Sequence, residues 1–101
     1  MEDYDRRQLE SMLAQFQAYQ LGKIDLPWLI SSLESLLGCL ESLPEAWREE
    51  FRDHWGVLEE VYSVAIVREQ PVESLENKKL IDSSIGSMRS LLRAVIGSEA
   101  D

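Results

Sequence analysis

Residues 42–69 read SLPEAWREEFRDHWGVLEEVYSVAIVRE, and the fold turns on this stretch. Trp47, Phe51, His54, Trp55, Leu58, Tyr62, Ala65 and Ile66 recur at three- and four-residue intervals, the spacing of one face of an α-helix. Nothing interrupts that spacing before Gln70-Pro71, where the proline ring and its missing donor stop a helix. Ser42 and Glu45, bracketing Leu43-Pro44, have the spacing of a capping box. Val57, Val61 and Val64 add a second apolar face to the later half. A helix apolar on two sides is packed by neighbours on both. The stretch therefore predicts a central helix over 44–69, the most buried of its set.

Working outward, Leu9, Met12, Leu13, Phe16 and Tyr19 predict a helix over 3–20. Glu2, Asp3 and Asp5 stand at its start, where the positive end of the helix dipole favours acids. Gly22 ends it, and Asp25 can cap a second helix that tolerates Pro27 in its first turn. Leu26, Leu29, Ile30, Leu33, Leu36, Leu37, Leu40 and Leu43 share one face of that helix, over 26–42. Residues 70–77, QPVESLEN, read as a loop. Leu80, Ile81, Ile85, Met88, Leu91, Leu92, Val95 and Ile96 then predict a fourth helix over 76–96, stopped by Gly97, with a short frayed tail at 98–101. No stretch alternates with period two. The expected fold is all-α: a compact antiparallel four-helix bundle forming a single domain over 1–101.

Charge narrows the function classes. Nineteen acidic and ten basic side chains leave a net charge of −9. That sign repels nucleic-acid backbones and anionic membranes and draws in a basic partner. No apolar run approaches the roughly 18 residues that span a bilayer. The acidic start, Met-Glu-Asp-Tyr-Asp, is unlike a secretory signal. With one cysteine, Cys39, no internal disulfide can form, and a reducing cytoplasm is the expected location.

His54, the only histidine, has Glu50 four residues before it and Asp53 beside it. It also stands within the Trp47–Leu58 stripe, so a structural role, with the ring packed and its nitrogens bonded locally, is expected. A di-metal bundle site needs two Glu-x-x-His motifs, and a Cys–His pair would need Cys39 on the leucine side of its helix; neither condition is met. The five glycines are scattered and form no phosphate-binding loop, and no zinc spacing or nucleophile elbow occurs. The sequence thus predicts no catalytic, metal-binding or cofactor-binding residues, and a protein that is not an enzyme.

Two faces remain as partner-binding candidates. Glu45, Glu49, Asp53 and Glu60 line up opposite the core stripe of the third helix. Like charges at i,i+4 cost roughly 0.2–0.5 kcal/mol per pair in an isolated helix, partly recovered by Arg48 and Arg52 at i+3. The bland reading is a solvated face; the sharper one is an acidic docking ridge. The alternative is a small-residue face on the second helix, Ser31, Ser35, Gly38 and Ser42, flanked by Trp28, Ser32 and Cys39. Trp28, Ser31, Ser35 and Cys39 would make a partner groove with an aromatic anchor.

The segment Gly22–Arg68 carries a Gly22-x-Ile24 start, a leucine-rich helix, Pro44-Glu45-x-Trp47, and Trp55-x-x-Leu58-Glu59-Glu60-Val61-Tyr62. It resembles small acidic all-helical immunity proteins of bacterial toxin–immunity systems, of the contact-dependent growth inhibition type. The tyrosine-pair motif of colicin-nuclease immunity proteins, which share this size, acidity and build, is absent. The resemblance implies a cytoplasmic protein that neutralises a cognate, basic toxin domain, such as a nuclease, by covering its active surface. A non-enzymatic helical adaptor and a DNA-mimic inhibitor are the alternatives.

Overall fold

Four α-helices dominate residues 3–99, the part of the chain described in this computed structural model: α1 (Asp3–Gln20), α2 (Leu26–Cys39), α3 (Glu45–Val67) and α4 (Leu75–Glu99). No strand occurs among the described residues. Glu2, expected at the start of α1, and Ala100–Asp101 of the expected tail lie outside them. α4 runs through Gly97 to Glu99, so that glycine does not stop it.

The helix ends follow local chemistry. Gly22 adopts a φ of +75°, and Lys23 donates its N–H to the Ala18 carbonyl at 2.8 Å, closing α1 with a left-handed residue. The Asp25 carboxylate accepts from the Trp28 N–H at 3.0 Å and caps α2, with Pro27 in the first turn as expected. Glu69, with a φ of +53°, closes α3 as Gly22 closes α1: Gln70 donates to the Ala65 carbonyl at 2.9 Å. Ser74 caps α4, its hydroxyl oxygen accepting from the Asn77 N–H at 3.3 Å.

Two expectations are corrected at the α2–α3 connection. α2 stops at Cys39, not at 42, because the next residues turn toward α1: the Glu41 and Ser42 N–H groups both donate to the Asp5 carboxylate. Ser42 does not form a capping box. Pro44 holds the N-cap position of α3 without any side-chain bond, and the Ser42 hydroxyl donates to Asp5 instead.

Successive helices are antiparallel. The start of α1 meets the end of α2 through Asp5 and Glu41, and the start of α3 meets the end of α4 through the Trp47 Nε1–H and the Leu91 carbonyl, 3.1 Å apart. The end of α1 reaches the start of α4 through the Tyr19 hydroxyl, which donates to Glu73 at 2.7 Å. Two hairpins, α1–α2 and α3–α4, pack face to face around Leu9, Met12 and Phe16, Leu29 and Leu33, Phe51 and Leu58, and Ile85, Met88 and Leu92. This is the four-helix bundle the apolar periodicities predict.

α3 is less buried than its sequence suggests. Its core line is Phe51, Leu58, Val61 and Ala65, while Val64 and Ile66 are 40% and 56% exposed. Length explains Ile66: at 1.5 Å per residue α2 spans about 21 Å against about 35 Å for α3. Trp55 already meets α2 at Ile30, near its start, so the last turns of α3 outrun it.

Candidate functional site

The exposed face of α3 is built by the same periodicity that buries its opposite side. With Phe51, Leu58 and Ala65 turned inward, Glu45, Glu49, Asp53 and Glu60 are all left exposed. Successive members four residues apart stand about 6 Å apart along the axis. By spacing, Arg48 and Arg52 at i+3 would recover part of the like-charge cost of this row. Arg48 does not: its guanidinium crosses to the end of α2, donating to the carbonyls of Leu43 at 3.3 Å, Leu37 at 3.4 Å, and Leu40. There it meets the negative end of the α2 dipole and adds a second donor to the Leu37 carbonyl, which already accepts from the Leu40 N–H.

The withdrawal of Arg48 leaves the row more acidic than its composition implies. Among the described residues, none of the four carboxylates forms an ion pair; the pair that does form there is Arg6–Glu10 on α1. Glu45 has a local reason to be acidic, since it occupies the first turn of α3. Glu49, Asp53 and Glu60 do not.

The alternative face comes together only in part. Trp28 is 61% exposed, and with Ser31 and Ser35 it lines a shallow groove between α1 and α2, closed on the α1 side by Ser11 and Gln15. The Gln15 Oε1 is buried there without a hydrogen-bond partner. Cys39 is exposed but lies outside the groove, beside Tyr4, whose phenol it holds above the usual range through a side-chain hydrogen bond.

His54 is half-buried, and no hydrogen bond reaches its ring among the described residues, so the expected local bonding of its nitrogens is not made. No group of three or more His, Cys, Asp or Glu side chains among the described residues is placed to hold a metal ion. No helix there is long and apolar enough to cross a membrane.

Sequence reasoning missed one buried acid, Asp5. Asp5 was expected merely to favour the helix dipole, yet it is fully buried. Burial pushes its carboxyl up; the Ser42 hydroxyl, the Ser42 and Glu41 N–H groups and the Arg48 charge outweigh that and hold it below the usual range. Tyr19, at the opposite end, is shifted upward, first by burial and then by its bond to Glu73 and the charges of Glu73 and Asp82. Both groups tie helices together.

Comparison with protein-family models, curated proteins and solved structures finds no match to this chain.

Proposed function

We propose that this protein binds and neutralises a cognate basic toxin domain, in the manner of the immunity proteins that residues 22–68 resemble, by laying the acidic face of α3 over the toxin's active or substrate-binding surface. The supporting observation is the row Glu45, Glu49, Asp53 and Glu60, solvent-facing and, among the described residues, without ion pairs, from which Arg48 is withdrawn. Such a protein needs no chemistry of its own. It needs fast, tight binding in the cytoplasm, and a row of exposed carboxylates on a net charge of −9 raises the encounter rate with a basic domain.

The test is charge reversal at Glu49→Lys with Asp53→Lys, assayed against the product of the neighbouring gene. Association should slow by roughly tenfold or more at low salt, lose most of its salt dependence, and protect cells less, with the helical spectrum unchanged. Unaltered association and salt dependence would make the row a merely solvated face. A second reading, a helical adaptor that docks its partner in the α1–α2 groove, is favoured by one observation, the 61% exposure of Trp28. Under that reading Trp28→Ala and Ser35→Arg abolish binding and the charge reversals do not.

A further inference from the structure

At one end of the bundle the turn between α1 and α2 meets the loop between α3 and α4, and a cleft of about 440 Å³ lies between them. Its size is that of a small-ligand site. Ile24, Leu26, Pro27 and Val72 form an apolar wall, and Tyr19 adds a half-buried aromatic ring.

The charges of the cleft select what fits it. Asp25 and Glu73 line it, and no lysine or arginine does. Both carboxylates are held in place: Asp25 accepts the Trp28 N–H at 3.0 Å, and Glu73 accepts the Tyr19 hydroxyl at 2.7 Å. Each bond uses one oxygen and, among the described residues, leaves the other without a hydrogen bond. The adjoining cleft shares Tyr19 and Glu73 and adds Asp82 and Lys78, so the two together set three carboxylates against one cation. An anion finds little here. The first turn of α2 would offer it backbone donors, but Pro27 has none and Asp25 has taken that of Trp28. A cation with an aliphatic body meets opposite charge at its head and apolar walls along its length.

We propose that this cleft binds a small alkyl amine, its ammonium shared by Asp25 and Glu73 and its carbon chain against Ile24, Leu26, Pro27 and Val72. No residue of α3 lines the cleft, so the site is independent of the toxin-binding reading.

Titration of the isotope-labelled protein with pentylamine, at neutral pH and fixed ionic strength, should shift the amide resonances of residues 22–26 and 72–73, saturating with a Kd below about 10 mM. Ethylamine should bind roughly tenfold more weakly, since it leaves most of the apolar wall uncovered. Pentanoate should not bind. Asp25→Asn with Glu73→Gln should weaken pentylamine by roughly tenfold or more. Asparagine still caps a helix and glutamine still accepts from Tyr19, so the circular-dichroism spectrum should not change. The absence of saturable shifts overturns the proposal, as do shifts confined to the acidic row of α3. Equal affinity for ethylamine or pentanoate, or a double variant that binds pentylamine as the wild type does, also overturns it.

Discussion

Asp5 accepts two hydrogen bonds from Ser42, one from its N–H at 2.8 Å and one from its hydroxyl at 2.5 Å, across a separation of 37 residues. The carboxylate is fully buried, and the pair fastens α1 to the α2–α3 connection, where Ser42 itself is exposed. Hydrogen bonds to a charged group contribute more than neutral ones.

Removing the acceptor should therefore be expensive. Asp5→Ala should lower the unfolding free energy by about 3 kcal/mol at neutral pH, measured by urea denaturation. The folded-state carboxyl lies below its unfolded value of about 3.9, so its contribution is fully present above that pH and is lost as pH falls through the folded value. Ser42→Ala should cost stability at neutral pH, cost little in strong acid, and so flatten the acid limb of the stability profile. Equal losses at both pH extremes would contradict this account.

At the end of α3, Glu69 holds a left-handed φ of +53° that glycine adopts without a Cβ penalty. Glu69→Gly should raise stability by about 1 kcal/mol, seen as a higher urea midpoint with an unchanged slope. A lower midpoint would mean the side chain has a role that the backbone geometry does not reveal.

Two arginines one turn apart on α3 should behave differently. Arg48→Ala removes the donors that close the C-terminus of α2 and should cost about 2 kcal/mol. Arg52→Ala, on the exposed face, should fall within about 0.5 kcal/mol of wild type. Thermal melts of the two variants separate the cases, and equal losses would put Arg48 back among the surface charges.

Trp55 is half-buried and joins α3 to α2 through its Nε1–H and the Ile30 carbonyl, 3.0 Å apart. Trp55→Phe keeps most of the packing and should cost about 1 kcal/mol, whereas Trp55→Ala should cost about 3 kcal/mol. Urea midpoints that coincide for the two would show that the ring contributes no packing there.

Helix positions and the core were readable because each helix has one apolar face with a 3.6-residue period, and Asp25, Pro27 and Gly22 act within a few residues of themselves. Asp5, Ser42 and Arg48 were not readable, because their partners lie on other segments. Asp5 looks like an ordinary first-turn acid until α2 is docked, and Arg48 looks like a salt-bridge partner for Glu45 until the end of α2 lies within its reach. The candidate acidic row was legible as a row. What periodicity cannot report is that Arg48 turns away from it.

The fastening at Asp5 also bears on the order in which the molecule assembles. A bond between residues 5 and 42 closes a loop of 37 residues, and it reaches its native geometry when α2 lies back along α1. It should be absent from the transition state, so Asp5→Ala should leave the folding arm of a denaturant chevron nearly in place and accelerate unfolding. The same carboxylate then governs how long the native state persists, and has little say in how fast it is reached.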